Sequence, residues 1–417
     1  MRLSRKEESR LLAVLVGILG ITGCGGGAAA NPSSSSFLAT TPSTSSSGGG
    51  TTAPTPTPSS GPTPNPSPTP PPSPTPTPNP SSSPSSSFQA DLTATAQWLK
   101  SNSVAPDGAI LYGSSQINPY YSNLAAIGLT HDPSSYDTVQ RWMQWYVNHL
   151  NWPDKWGLYG TTYDYDYNNG VETSRVSADS TDSYAATFLS LAWAYYQTGN
   201  AAAQSYVKSI ASQLDSIGGV LIQTQQSDGL TWAKPDYKIK YLMDNCEAYR
   251  GLRDLALLFQ NALGDSSKAG YYNAAADSML QGIESMWTNG AWAMYKDGIG
   301  NLIAPNMGKW YPDATSQVFP VLQGVIAATD SRSQQAYNNL NDAWPGWPSL
   351  SFNAQDPFPW VLVVDAAIIM GDSTRVSTYV QSIEAKYVNN GFPWTWYSAE
   401  AGWFMRLNAY ALGARPL

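Results

Sequence analysis

The stretch VSADSTDSYAATFLSLAWAYYQTGN, residues 176–200, carries the local pattern from which the fold of this chain can be inferred. In its second half, apolar side chains recur at spacings of three and four, which predicts a helix with one apolar face (Tyr184, Phe188, Leu191 and Tyr195). Gly199 and Asn200 are typical of a helix end. The residues before the apolar face raise a question, because two of them are acidic.

Asp179 and Asp182 stand three residues apart at the start of this predicted helix, on the same side of its first turn. Structure alone explains one of them, because Asp is a favoured N-cap and suits the positive end of the helix dipole. We expect Asp179 to supply that cap. Asp182 is then not needed for capping, and repulsion between the two carboxylates would raise one pKa. We therefore assign Asp182 a functional role.

Helical periodicity, with start and stop signals, predicts twelve helices and little strand apart from residues 219–223. The helices are predicted at 91–103, 118–128, 133–149, 180–198, 200–216, 244–262, 267–287, 314–329, 333–343, 355–371, 373–388 and 398–413. Every second helix is followed by a short polar link, such as GN or GDST. The other links are long and aromatic, chiefly residues 150–178, 218–243 and 288–312.

Six helical hairpins with tight turns at one end and long loops at the other place all the long loops on one face. Six is also a number that closes a ring, and the pattern resembles the (α/α)6 toroid of the six-hairpin glycosidases. The even-numbered helices follow the long loops and several are the more apolar of their pair, so we predict that they form the inner ring. Their N-termini then face a common cleft, where the acids cluster (Asp179, Asp182, Asp244, Glu247, Asp313, Asp356 and Glu400).

Most of these acids also have a structural explanation. Asp244 and Glu247 fit a capping box, in which the first accepts from the backbone and the second reaches back. Asp313 follows a proline and can cap the next helix, and Glu400 provides a favourable first-turn charge. Taken singly, each of these residues is explained by a helix start. For Asp182 the functional interpretation is the stronger one.

The run SADSTDSYAATFLSLAW is similar to the signature of family 8 glycoside hydrolases, in which closely spaced aspartates open an inner helix and a tryptophan follows. Asp182, with Ala186 and Trp193 after it, matches the second aspartate of that signature. Two departures set the chain apart from the family. The two acids are three residues apart instead of two, and NPYYSNLAA has no acid where the family carries its proton donor. The resemblance therefore implies the wider six-hairpin superfamily.

Hydrolysis of a glycosidic bond needs one protonated carboxyl and one ionised carboxylate. We predict Asp182 as one of the pair and Asp244 as its partner, with Glu247, Asp313 and Glu400 in reserve. Asp179 and the loop aromatics are expected to bind the sugar, since aromatic rings stack on apolar sugar faces (Trp152, Trp156, Tyr163, Tyr165, Trp232, Trp310, Trp394 and Trp396). No metal or cofactor is expected, because the two histidines are His131 and His149 and no metal-ligand spacing occurs.

The first 87 residues are predicted to lie outside the fold. Residues 1–23 combine a basic start with an apolar run at 11–21, as in a secretion signal, and end in a lipobox-like Ile-Thr-Gly before Cys24. We expect Cys24 to be the lipidated N-terminus, anchored in a bacterial cell envelope, with the outer membrane favoured. Residues 24–87 contain no charge and are rich in Pro, Ser and Thr, which predicts a disordered spacer.

Residues 88–417 contain all 16 tryptophans and form the expected catalytic domain. Four basic and two acidic residues lie in the first ten, which leaves the domain with 18 basic and 28 acidic residues and a net charge of −10. This charge disfavours nucleic acid and polyanions as partners. We expect a monomer that acts on a neutral or basic glycan. Two alternatives stay open, a polysaccharide lyase on the same ring and a non-catalytic glycan-binding lipoprotein.

Overall fold

The computed structural model describes residues 84–351 and 356–414. The helices in these ranges are α1 (Pro84–Asn102), α2 (Pro119–Leu129), α3 (Tyr136–Asn148), α4 (Thr181–Gln197), α5 (Ala201–Ser209), α6 (Ala211–Thr224), α7 (Leu242–Leu258), α8 (Ser266–Glu284), α9 (Phe319–Leu322), α10 (Ser331–Ala343), α11 (Val361–Ile369), α12 (Ser373–Lys386) and α13 (Ser398–Ala411). None of them is both long enough and apolar enough to cross a membrane.

Six of these helices form a closed inner ring. Helix α2 packs against α4, and α4 packs against α7. The ring continues through α9, α11 and α13, and α13 returns to α2. Helices α1, α3, α6, α8 and α12 pack outside it, so the chain folds as the predicted (α/α)6 toroid. The inner helices are buried on nearly every face, as in α4, where each residue from Thr181 to Tyr195 is buried.

The first and last inner helices meet through a pair of glycines. A Cβ atom added to Gly128 would lie 2.4 Å from the backbone oxygen of Gly402. In the reverse direction, a Cβ on Gly402 would lie 2.2 Å from the oxygen of Leu124. Real Cβ atoms do not approach backbone so closely, so any side chain here would force α2 and α13 apart. These two glycines are therefore what allows the ring to close at this seam.

Short strands tie the long loops together on the cleft face. They are β1 (Gln116–Ile117), β2 (Tyr165–Asn168), β3 (Val171–Ser174), β4 (Lys240–Tyr241), β5 (Trp287–Thr288), β6 (Ala291–Trp292), β7 (Tyr295–Lys296) and β8 (Leu302–Ile303). One antiparallel sheet has the order β1-β2-β3 and another the order β4-β7-β8. The second sheet joins the loop before α7 to the loop after α8, as expected if both loops lie on one face.

The structure corrects several of the predicted segments. Residues 219–223, predicted to be strand-like, belong to helix α6. The helix predicted at 200–216 is two helices, α5 and α6, divided at Ile210. The helix predicted at 314–329 is reduced to the four residues of α9, because Pro320 lacks an N–H and Gly324 adopts a positive φ of 70°.

Differences also occur where two of the predicted helices begin. Helix α1 starts at Pro84, before the predicted domain boundary at residue 88. Helix α11 starts at Val361 although the prediction began at 355, and the described part of that segment, from Asp356, is irregular as far as Trp360. The predicted signal, Cys24 and the linker up to residue 83 lie outside the described residues and stay predictions.

Candidate active site

At the start of α4, the residue that supplies the N-cap is not the one we predicted. The N-cap is Ser180, whose side chain accepts from the Ser183 amide at 3.4 Å. Asp179 therefore lies one residue outside the helix, where it is exposed to solvent. The prediction that Asp179 caps the helix is wrong, because a serine hydroxyl performs that function one residue later. This leaves Asp179 free of any capping role.

Asp182 is completely buried at the second position of α4. Its Oδ1 accepts from the Ser180 hydroxyl at 2.6 Å and from the Ser183 amide at 2.9 Å. Its Oδ2 accepts from the Thr231 hydroxyl at 2.6 Å. Burial raises the pKa of Asp182 to about 6, and these hydrogen bonds act in the opposite direction. The carboxylate lies beneath the cleft floor and has no surface available to a substrate.

Asp244 lies in the first turn of α7, next to the start of α4. Its Oδ2 is 3.3 Å from the Ser180 hydroxyl, the same hydroxyl that contacts Asp182. Helix α7 starts at Leu242 after Tyr241, which makes no side-chain cap, so the predicted capping box of Asp244 and Glu247 does not form. Asp244 is partly exposed and is therefore accessible from the cleft.

The pKa of Asp244 is raised well above its usual range. Burial is the largest cause, followed by the charges of Asp182, Glu247 and Asp179. The shared Ser180 hydroxyl opposes the shift. A protonated Asp244 can donate to Ser180, which in turn donates to the Asp182 carboxylate. The pair thus has one partly exposed member, whose protonated form is favoured, and one buried member with both carboxylate oxygens hydrogen-bonded.

Glu247 follows one turn later on α7 and is buried, with an exposed fraction of 3%. Its Oε1 accepts a hydrogen bond from the Tyr120 hydroxyl at 2.7 Å. Burial raises the pKa of Glu247 to about 8, the Tyr120 bond lowers it, and the charge of Asp182 raises it further. Glu247 is therefore linked to the cleft by its hydrogen bond with Tyr120 of α2.

Asp164, which the sequence analysis did not select, completes this acidic group. Its Oδ1 accepts from the Tyr184 hydroxyl at 2.6 Å and from the Asn118 amide at 3.2 Å. Burial raises its pKa to about 7, and the charge of Asp179 contributes to that shift. Asp179 itself is solvent-exposed, yet enough protein surrounds it for desolvation to raise its pKa, while Lys234 opposes the shift. That combination is expected at the floor of a cleft.

Two of the reserve acids hold the backbone in place. The Glu400 carboxylate accepts from the amides of Trp360 at 3.0 Å and Val361 at 2.9 Å. It thus caps the neighbouring helix α11, whose own N-cap makes no side-chain bond. Asp313 does not cap α9 but accepts from the Asn306 amide at 2.7 Å, which fixes the preceding loop. Both acids are buried, with exposed fractions of 4% each.

Tyrosines surround the acids at the starts of the inner helices. They are Tyr120 and Tyr121 on α2, Tyr184 on α4, Tyr241 before α7, Tyr311 before α9 and Tyr397 before α13. The Tyr311 hydroxyl is close enough to Asp179, Asp244, Asp356 and Glu247 for their charges to raise its pKa. We refer to these six residues as the tyrosine collar. It is the feature that distinguishes this cleft most clearly.

Comparisons with known proteins bear on the architecture. No family model and no curated protein sequence matches this chain. Among solved structures, it is similar to the GH63 mannosylglycerate hydrolase from Thermus thermophilus in complex with glucose, at 13% identity and a TM-score of 0.56, over 76% of this chain and 99% of that one. A β-1,3-1,4-glucanase from Paenibacillus sp. X4 is similar at 12% identity and a TM-score of 0.54, over 82% and 95%.

A third similar structure is the rhamnosidase from Klebsiella oxytoca with rhamnose bound, at 11% identity and a TM-score of 0.54. That match covers 80% of this chain and 65% of the rhamnosidase. The fold is that of the toroidal glycosidases. At this level of identity the likeness establishes architecture, and the resemblance to the family 8 signature stays a prediction.

The loop aromatics divide into accessible and buried groups on the toroid. Tyr163, Trp310 and Trp396 have exposed fractions of 6%, 1% and 3%, so their rings cannot stack on a sugar. Trp152 and Trp394 are exposed. Partial exposure is found for Trp156, Tyr165 and Trp232. Three of the eight rings we predicted to bind sugar are therefore packed away from solvent, and a fourth, Tyr165, is partly covered by Trp145.

Trp394 is connected to the cleft floor by a series of ring contacts. Its ring meets Phe358 edge-on at 5.9 Å between centroids, and Phe358 meets Tyr397 at 5.3 Å. Tyr397 in turn contacts Tyr121 at 5.4 Å. An aromatic wall therefore runs from the tyrosine collar to an exposed tryptophan. Successive rings of this wall meet edge-on, at 77–83° between their planes, and Trp394 is the one of the four that is exposed to solvent.

The tyrosine collar and Asp164, which were not predicted from sequence, nevertheless follow a recognisable sequence pattern. A tyrosine occurs within the first turn of an inner helix, or shortly before it, in five of the six cases. Asp164 lies between Tyr163 and Tyr165 in the loop already noted as aromatic. Reading helix starts for tyrosine as well as for acids would have found the collar.

In the described ranges, no group of three or more His, Cys, Asp or Glu side chains is arranged to hold a metal ion.

Proposed function

We propose that this protein is a glycoside hydrolase that cleaves a neutral or basic polysaccharide or oligosaccharide by carboxylate acid–base chemistry. The observation that supports it best is the proximity of a partly exposed Asp244, whose pKa is raised well above its usual range, to an exposed Asp179 whose charge contributes to that shift. The solved toroidal neighbours include hydrolases of several glycosides, which is consistent with this chemistry but does not name the substrate.

Asp244 is the proposed general acid. Its pKa is raised well above the usual range of an aspartate, which favours the protonated form that a group donating to a leaving oxygen requires. Asp179 is the proposed base or nucleophile, because it is the most accessible acid of the group and Lys234 favours its ionised form. Asp164 is the alternative base, since Asn118 and Tyr184 orient its carboxylate.

Asp182 takes a different role in this proposal from the one predicted on sequence grounds. Its three hydrogen bonds and complete burial suit a fixed anion that orients Ser180 and, through it, Asp244. An anion beneath a carboxyl also favours the protonated form of that carboxyl. Asp182 is thus proposed as the residue that favours the protonated form of Asp244. This role and the catalytic role predicted from sequence lead to opposite expectations for variants of Asp182 and Asp244.

The substrate class follows from charge and from the aromatic wall. The charge of Asp179 raises the pKa of both Asp164 and Asp244, whereas Lys234 opposes the shift at Asp164 and Asp179, and Arg175 opposes it at Asp164. A polyanionic chain would be repelled by this cleft. Neutral sugars would stack on Trp394 and donate hydroxyls to the acids. This electrostatic balance also disfavours a lyase, which needs cations to neutralise a uronate.

The test is a panel of polysaccharides and oligosaccharides incubated with the protein. New reducing ends without ultraviolet absorbance support hydrolysis, whereas absorbing unsaturated products indicate a lyase. Binding without either product indicates a glycan-binding protein. The proposed envelope anchor is tested separately, because a Cys24→Ser protein should lose its membrane fractionation while keeping its activity.

A further inference from the structure

A small cavity lies inside the ring, beneath Glu247. Its polar lining comes from three inner helices and the residue after α9 (Thr187, Ser190, Glu247, Arg250, Gln323 and Arg406). The space open to water centres is about 20 Å³. One water molecule needs roughly 10–15 Å³ and two to four polar partners. The cavity therefore has the size and the chemistry of a site for one buried water.

Arg406 is the buried cation of this cavity, with an exposed fraction of 5%. Its Nε donates to the Tyr410 hydroxyl at 3.0 Å, and its guanidinium lies 3.9 Å from the centre of the Trp403 ring. Among residues 84–351 and 356–414, no carboxylate oxygen lies within the 4.0 Å of an ion pair with Arg406. A guanidinium cannot lose its proton, and it has five N–H donors. The remaining donors need acceptors. The charge of Arg406 acts on the buried Asp365, which does not line the cavity, and on Glu247, which does.

Glu247 lies between this cavity and the cleft. One carboxylate oxygen accepts from Tyr120 of the collar, and the side chain also lines the cavity with Arg406. Asp254, the other buried acid on this stretch of α7, already binds Arg250 at 2.8 Å. Glu247 is therefore the acid of the cavity lining, and a water molecule can bridge it to the guanidinium.

We propose that one water molecule in this cavity links the guanidinium of Arg406 to the carboxyl of Glu247, and that Arg406 is a positioning residue for Glu247. The inference rests on the proposed function, because Glu247 contributes to the electrostatics of Asp244. Titratable and charged groups face Glu247 from its own helix and from the elements packed around it (Asp244, Cys246, Arg250, Tyr120, Asp182, Tyr311 and Arg406). Of these, Arg406 is a cation on a separate helix from Glu247.

The consequence concerns the charge of Glu247. Burial and Asp182 both favour its protonated form, and Arg406 opposes them. Arg406→Met removes the cation and leaves a side chain of similar length in the cavity. The titration midpoint of Glu247 should then rise by about one pH unit, the lower end of the effect of a nearby opposite charge. Arg406→Lys, which keeps a positive charge near the cavity, should restore most of the wild-type midpoint.

The experiment follows the carboxyl carbon of Glu247 by NMR during a pH titration of 13C-glutamate-labelled domain, with Glu247→Gln identifying the signal. This readout needs no substrate, so its result stands apart from the proposed hydrolysis. Arg253→Met is the matched control, because Arg253 lies on the same helix as Glu247 but pairs with the exposed Asp277. It should leave the midpoint unchanged.

An unchanged midpoint in folded Arg406→Met protein would overturn the proposal. If that variant does not fold, Ser190→Val provides the second test, since it fills the cavity and keeps both charges. It should displace the bridging water and also raise the Glu247 midpoint. A midpoint equal to the wild-type value in Ser190→Val would show that no water connects the two groups. A crystal structure with an ordered water within hydrogen-bond distance of both side chains would support the link directly.

Discussion

Replacing Asp244 and Asp182 separately by asparagine tests the assignment of the acid and distinguishes two interpretations of the same helix starts. Asparagine preserves the shape of each side chain and removes its ionisable group. On the proposed mechanism, Asp244→Asn removes the proton donor, and loss of a general acid typically lowers the rate about 10²–10⁴-fold. Its stability should hold or rise, because Asp244 makes one long bond, at 3.3 Å, and an asparagine cannot acquire the charge that Asp179, Asp182 and Glu247 disfavour.

Asp182→Asn should have the opposite profile. The amide oxygen can keep the bonds from Ser180 and Ser183, while the amide nitrogen faces the Thr231 hydroxyl, which must rotate to accept. Losing one bond to a charged group costs about 1.5–3 kcal/mol. We expect the free energy of unfolding to fall by about that amount, and the rate to change much less than in Asp244→Asn.

The assays are reducing-end release on a confirmed substrate and chemical denaturation of both variants. A double mutant adds a check, because residues that share Ser180 should show non-additive effects. If Asp182→Asn abolished hydrolysis in a stable protein while Asp244→Asn stayed within a few-fold of wild type, the buried carboxylate would be the reacting group. The reasoning from burial and hydrogen bonding would then be refuted.

Three further results are expected. Glu400→Gln should lower the free energy of unfolding, measured by denaturation, by about 1.5–3 kcal/mol, because one of the two amides at the start of α11 loses its acceptor. Unchanged stability would contradict the capping role. Trp394→Ala should raise KM without changing the melting temperature, whereas the buried Trp396→Ala should cost about 3–5 kcal/mol, and equal effects would argue against the aromatic wall. Calorimetry should show the free energy of unfolding falling as the pH rises from about 4.5 to 8, because Glu247 has a folded pKa near 8 and the native state holds a proton that the unfolded chain releases. Glu247→Gln should flatten that slope. A steeper slope in the variant would contradict the assignment of the proton to Glu247.

The ring was predictable because its signals are local and repeated. Tight polar links such as Gly199-Asn200 and apolar faces such as that of α4 recur along the chain, and six hairpins close a ring of inner and outer helices. The predictions failed where tertiary context overrode local pattern. The short apolar run at residues 219–223, predicted to be strand-like, instead completes α6. Helix α9 is short because Pro320 and Gly324 interrupt a segment whose apolar content resembled a full helix.

The site was predictable in location but not in roles. Position on an inner helix start put Asp182, Asp244 and Glu247 in one neighbourhood, as observed. Which carboxylate faces the cleft depends on contacts with distant residues such as Thr231 and Tyr120, and no local pattern contains that information. The same limit applies to the aromatics, since Trp394 and Trp396 are two residues apart and have opposite exposures.

The glycine contact between α2 and α13 has a consequence for how the chain can be assembled. In an open solenoid, each repeat touches only its neighbours, and the terminal repeat can be lost while the others stand. Here Gly402 of α13 packs against Gly128 of α2, from the opposite end of the domain. The inner helix that is synthesised last therefore closes the ring against the inner helix that is synthesised first. Contacts of such high contact order are formed late and slowly. Until they form, the acids at the inner helix starts are not enclosed on all sides, so the acidic cleft is complete only when the ring closes.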